Sequence, residues 1–139
     1  MINRADYSRA SSTTAIGTGS TSIAGLSKEV VNGGVYKFEA FMQLVNVGSP
    51  TNVNFCVTGP STTACNFAVE RGAVGTFRSD PYTAFAAASA GTAIVSTWAK
   101  IQGTFVASAN GTIQVVGIRV AGTSATVQIG GYLECERIG

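Results

Sequence analysis

The sequence predicts an all-β fold, a single-domain antiparallel jelly-roll β-sandwich with an extended N-terminal arm. Three observations carry the prediction. Apolar and polar residues alternate with a period of two over most of the chain after Leu26. Turn-forming clusters recur at spacings of roughly 8 to 14 residues, as a sandwich of short strands requires. No stretch shows the 3.6-residue period of an amphipathic helix.

The first 20 residues are rich in Ser, Thr and Gly, with Ile2, Tyr7 and Ile16 as isolated apolar points, so they read as an arm rather than a core segment. Residues 21–139 read as the sandwich domain. Asn32-Gly33-Gly34 supplies a tight turn into a strand over Val35 to Val47. On that strand Tyr36, Phe38, Ala40, Met42 and Leu44 form the core face. Val35, Lys37, Glu39, Phe41, Gln43 and Val45 form the other, where Phe41 and Val45 are surplus hydrophobes that mark a second layer or a subunit contact. Asn52 to Thr58 alternates again, with Val53, Phe55 and Val57 inward. Gly59-Pro60-Ser61-Thr62 then reads as a hairpin turn into Cys65, Phe67 and Val69. A looser region through Arg78, Asp80 and Pro81 leads to a short strand near Tyr82, then to a loop with one helical turn over Ala86 to Val95. The last third predicts strands over Trp98 to Ala107, Thr112 to Val120 and Ala125 to Ile138, with Asn110-Gly111 as a hairpin turn.

Composition narrows the function. The chain has 139 residues, enough to bury a core without a metal or a disulfide framework. Charged residues make up only 12%, about half the usual share. A surface this neutral suits a protein covered by partners. The net charge is +2 and the six Arg and three Lys are scattered, which argues against nucleic acid as a partner. Arg4, Asp6 and Arg9 leave no room for a signal-peptide core, so synthesis in the cytosol is expected. The uncharged stretch from Pro81 to Ala99 carries too many Thr, Ser and Gly to span a membrane.

The sequence has no His, which removes the commonest general base and most zinc and iron sites. Neither a metal nor a cofactor is expected, and no enzymatic activity. Glu134 and Glu136 share a strand face about 7 Å apart, a spacing open to two-carboxylate hydrolysis. The plainer reading is a charged face neighboured by Arg137 and Arg119. Gly17-Thr18-Gly19 lacks the Lys of a phosphate loop. A hairpin centred between Pro60 and Ser61 sets Cys56 across from Cys65, close enough to bridge. In a cytosolic product the favoured reading leaves both reduced, with Cys135 a third free thiol.

Across roughly residues 20–139 the order of motifs resembles the small jelly-roll virion proteins of tailed bacteriophages, found in head decoration (cement) proteins and fibre-tip domains. The residues that carry the resemblance are Gly25-Leu26, Tyr36 and Phe38, Gly59-Pro60, Ile101 and Gly103, Gly111, and Gly131-Tyr132-Leu133. Gly130 departs from the family's closing motif. The resemblance implies a tumour-necrosis-factor-like jelly roll and a homotrimer. It also implies a place on the head exterior of a virion, where the protein bridges major capsid protein subunits. On this expectation Ile2, Arg4, Tyr7, Arg9 and Ile16 are the capsid-contact arm. Phe41, Val45 and Trp98 form the trimer or capsid face, with a core position the other reading for Trp98. The alternative is a fibre-associated module that recognises a host surface glycan through loop aromatics, for which Tyr82, Phe85 and Phe77 are the candidates.

Overall fold

A computed structural model describes residues 7–10, 12–46, 52–73, 75–89, 91, 94–122 and 124–139. Its strands are β1 (Tyr7–Arg9), β2 (Thr14–Ala15), β3 (Thr21–Val30), β4 (Val35–Asn46), β5 (Asn52–Thr58) and β6 (Thr62–Ala73). They continue with β7 (Thr76–Tyr82), β8 (Ile94–Val95), β9 (Trp98–Ala107), β10 (Gly111–Ala121), β11 (Ala125–Val127) and β12 (Tyr132–Arg137). Among the described residues there is no helix, so the helical turn expected within Ala86 to Val95 is absent from the part described.

The larger sheet runs β1-β12-β4-β9-β6-β7, with β11 joining β4 and β2 joining β11; the smaller runs β3-β10-β5-β8. Every pairing is antiparallel. The nested pairs β1 with β12, β3 with β10, β4 with β9 and β5 with β8 join early strands to late ones in reverse order. That is the rolled-up long hairpin of a jelly roll. The β6–β7 hairpin is an insertion between the partners β5 and β8, and it extends the larger sheet beyond β9.

Alternation explains the core. Tyr36, Phe38, Ala40, Met42 and Leu44 on β4 are buried, as are Ala99, Ile101 and Phe105 on β9 and Leu133 and Cys135 on β12. They meet Ile23, Leu26, Val53, Phe55, Ile113 and Val115 of the smaller sheet in one cluster. The central strand β5 breaks the alternation: Asn54 and Cys56 are buried along with Val53, Phe55 and Val57. The segment after β7 packs beside it, with the Ala86 amide donating to the Val57 carbonyl and the Asn54 amide to the Ser89 carbonyl. Phe85 from this segment fills the space against Phe38, Phe67 and Phe105.

Two expected hairpins are corners instead. Gly59-Pro60-Ser61 carries the chain from β5 in the smaller sheet to β6 in the larger, and Asn110-Gly111 carries it from β9 back to β10. The Asn32-Gly33-Gly34 turn also changes sheets, with Gly33 at φ +83°. These corners bind one another: the Asn32 amide donates to Asn110 Oδ1, Gly33 to the Ala107 carbonyl, and Ser108 to the Ser61 carbonyl. Turn residues fix a reversal of direction but not which sheet receives the chain. Among the described residues, β6 and β7 are the consecutive strands that pair directly, in the region read from sequence as loose.

The hairpin is pinned by a buried charge. Arg71 is completely buried; its guanidinium donates to the Val53 carbonyl of the opposite sheet at 2.7 Å and to the Asp80 carboxylate of β7. Arg78 shares the same carboxylate at 2.9 Å. One side chain thus fastens the inserted hairpin to both sheets.

The polar N-terminal stretch also belongs to the sandwich where it is described. β1 pairs with β12, and Ser8 Oγ donates to the Ser27 carbonyl of β3. Gly25, at φ +83°, lets the Arg9 backbone cross β3 where a Cβ would collide with it. Ile16 is only 3% exposed and lies in the core. The expected boundary between arm and domain at residue 20 therefore does not hold for these residues, because polar side chains on an edge strand face solvent while its backbone completes the sheet.

Candidate functional site: the outer face of the larger sheet

The outer face is read from the register. One cross-strand row is Glu136, Lys37 and Thr104; the next is Glu134, Glu39 and Gln102; the third is Tyr132, Phe41 and Lys100; the fourth is Gln43 and Trp98, continued by Gly72 and Phe77 on β6 and β7. The face thus divides into a polar half near the start of β4 and an aromatic half near its end.

In the aromatic half, Tyr132 stacks on Tyr7 with centroids 5.4 Å apart and on Phe41 at 6.4 Å. The Arg9 guanidinium lies 5.2 Å over the Tyr7 ring. These rings spend their faces on one another. Beyond them Trp98 lies over Gly72, where a Cβ would come within 2.6 Å of the indole, and contacts Phe77 at 6.1 Å. Phe77 is 64% exposed and Val45 44%.

The polar half holds a cleft of about 440 Å³ lined by Lys37, Glu39, Gln102, Thr104, Glu134 and Glu136, with Phe38 and Gly103 in its floor. The Phe38 side chain points inward, so its contribution to the outer floor is backbone. Lys37 Nζ lies 3.3 Å from Glu136, and Lys100 Nζ lies 3.9 Å from Glu39. The Tyr132 hydroxyl donates to Glu39 at 2.8 Å. Burial, that hydrogen bond and the neighbouring negative charges push the Tyr132 pKa up to about 12.

The sequence-predicted residues fall as follows. Phe41, Val45 and Trp98 do come together on this one face, with Trp98 half-buried over Gly72 rather than in the core. Of the arm residues, Tyr7 and Arg9 join the aromatic half, Ile16 is a core residue and so is not available as a surface anchor, and Ile2 and Arg4 lie outside the described residues. Tyr82 stacks on Phe67 and Phe85 is in the core packing, so neither forms a loop platform; Phe77 alone of the three is exposed, and on a strand. Glu134 and Glu136 share the outer face as expected, but the cation beside Glu136 is Lys37. Arg119 donates to the Ile16 and Gly122 carbonyls, and Arg137 to the Gly139 carbonyl.

Cys56 and Cys65 are free, buried and in different sheets, so the cross-strand pairing proposed for a bridge does not exist. Burial raises both thiol pKa values, and for Cys65 the nearness of Cys56 raises it further, which keeps them protonated and unreactive. Among the described residues no group of His, Cys, Asp and Glu is placed to hold a metal ion. No described helix is long and apolar enough to cross a membrane.

Sequence reasoning missed Tyr132, Gln102, Thr104 and the Arg71–Asp80 pair. The outer parity of β4 was readable, but the register that brings β9 and β12 beside it is not written in either strand alone.

No family model and no curated protein matches the chain. Among solved structures it is similar to the CBM22-1 xylan-binding domain from Paenibacillus barcinonensis Xyn10C, at 14% identity over 81% of this chain, with a TM-score of 0.32. It is also similar to the Clostridium thermocellum N-terminal endo-1,4-β-D-xylanase 10B CBM22-1–GH10 modules complexed with xylohexaose, at 15% identity over 99% of this chain, with a TM-score of 0.36. The chain spans 65% of the first structure and 27% of the second.

Proposed function

We propose that this chain is a non-enzymatic structural protein of a tailed-phage virion, a decoration or cement protein of the head exterior. It acts as a homotrimer that bridges major capsid protein subunits after synthesis in the host cytoplasm. The observation that carries the reading is the gathering of Phe41, Val45, Trp98, Tyr132 and Phe77 on one face of one sheet. Rings that stack on each other make a ridge suited to packing against protein, and the exposed Phe77 and Val45 beside them add apolar area that water solvates poorly. The motif order shared with phage jelly-roll proteins supplies the setting. Each contact with the shell would bury about 1,600 Å², and a trimer binds with avidity because later contacts are intramolecular.

The test is co-sedimentation with undecorated capsids of the same phage. The expected result is a trimer that pellets with capsids; a protein that stays in the supernatant overturns the cement reading. The role of the arm is tested by deleting residues 1–6 alone. A deletion reaching residue 18 would remove β1, β2 and Ile16 with it and confound docking with folding. Capsid binding that survives loss of residues 1–6 removes Ile2 and Arg4 from the contact.

A further inference from the structure

The polar cleft is separate from the aromatic ridge in chemistry, and we infer that it is a binding site for an uncharged carbohydrate chain. Its walls present three carboxylates, one ammonium, one carboxamide and one hydroxyl within one span of β12, β4 and β9. Gln102 and Thr104 are exposed and Glu134 is half-buried on the cleft wall, so these groups present hydrogen-bonding capacity to solvent. Sugar hydroxyls donate and accept at once, and a wall that mixes acceptor-only carboxylates with a donor-only ammonium and two groups of both kinds matches them. The volume of about 440 Å³ falls within the range of small-ligand sites.

Other occupants fit worse. All three strands under the cleft are interior strands of the sheet, so none offers an open backbone edge to which a peptide could add as a strand. The floor at Phe38 and Gly103 is strand backbone, without the apolar pocket that anchors a peptide side chain. Phosphates, sulfates and uronic acids meet three carboxylates, and the two ammonium groups at hand, Lys37 and Lys100, are already beside Glu136 and Glu39. The stacked ridge supplies no free ring face at the cleft, since the faces of Tyr132 are taken by Tyr7 and Phe41. Binding therefore rests on hydrogen bonds and is weak per site. The trimer proposed above would multiply it, but the cleft itself does not depend on that proposal.

The test uses amide NMR spectra of the full chain, titrated with neutral hexasaccharides of glucose, mannose, galactose and N-acetylglucosamine, and with an oligogalacturonate of the same length. The inference predicts saturable shifts confined to β4, β9 and β12 with at least one neutral sugar, and weaker binding of the oligogalacturonate. The double variant Gln102→Ala, Thr104→Ala changes two exposed side chains and keeps the core, and it should weaken the neutral sugar about tenfold, the loss of two ordinary hydrogen bonds. Phe77→Ser, on the aromatic half, should bind the sugar as the wild type does. Absence of saturable shifts at millimolar sugar, full-strength binding by the double variant, or tighter binding of the oligogalacturonate would each overturn it.

Discussion

The two halves of the outer face are made by the same strands and meet the same solvent, yet they differ in kind. Along β4 the outward residues pass from Lys37 and Glu39 to Phe41 and Val45, and along β9 they pass in the opposite direction from Trp98 to Gln102 and Thr104. Along β4 the inward residues beneath both halves stay uniformly apolar, from Tyr36 through Leu44. Folding requires only the inner set, because that set removes apolar area from water. The outer set is free to be divided according to what each half touches. On the two proposals above, the charged half and the aromatic half of one sheet are surfaces for different occupants.

The largest loss is expected when the hairpin that carries Phe77 is unpinned. Asp80→Ala leaves the Arg71 guanidinium buried without its carboxylate, and should cost about 3–5 kcal/mol in urea unfolding. A loss below about 1 kcal/mol would mean that the pair does not hold β6 and β7 in place. A second contrast comes from opposite faces of the same sheet. Met42→Ala opens a cavity in the core and should cost about 2–5 kcal/mol, whereas Phe77→Asp should stay within about 1 kcal/mol of wild type while impairing association. Equal losses from the two would erase the distinction between inner and outer sets.

The boundary between the halves has a titration of its own. Tyr132 holds its proton to about pH 12 in the folded chain, against about 10 when unfolded. The folded state is therefore favoured by this group below pH 10, and that contribution is lost as the pH rises from 10 to 12. Ultraviolet titration of the phenols should show a late-ionising tyrosine that disappears in Tyr132→Phe and ionises earlier in Glu39→Gln. An unchanged curve in both variants would detach Tyr132 from Glu39. The smallest effect is expected in the polar half, where Lys37→Ala breaks an exposed ion pair and should shift stability by less than about 1 kcal/mol, less still in high salt.

How much of this was legible beforehand depends on the range of the interaction. The inward set of β4 and the bounds of β9 follow from alternation, which is local, and both match the structure. Gly33 at positive φ is likewise a local requirement that Asn-Gly-Gly announces. What failed was partner choice. The Gly59-Pro60 and Asn110-Gly111 turns look like hairpin turns because a corner between sheets uses the same residues. The true hairpin at β6 and β7 was hidden because its turn includes one positive-φ glycine, Gly75, and its second strand carries Arg78, Asp80 and Pro81. Ile16 was misread for a related reason: an apolar residue isolated in a Ser/Thr background looks like a surface anchor unless the strand beneath it is known. The cleft was invisible because its residues come from three strands distant in sequence, brought together by register alone.

Sedimentation velocity on the purified chain, wild type beside the double variant Val45→Asp, Phe77→Asp, tests whether the chain assembles through the aromatic half. Both substituted side chains are exposed, so the variant should unfold in urea as the wild type does. The expected result is a trimeric wild type and a folded, monomeric variant. A wild type that is monomeric across the micromolar range, or a double variant that remains trimeric, would contradict the claim that the aromatic half of the outer face is the surface through which this protein assembles.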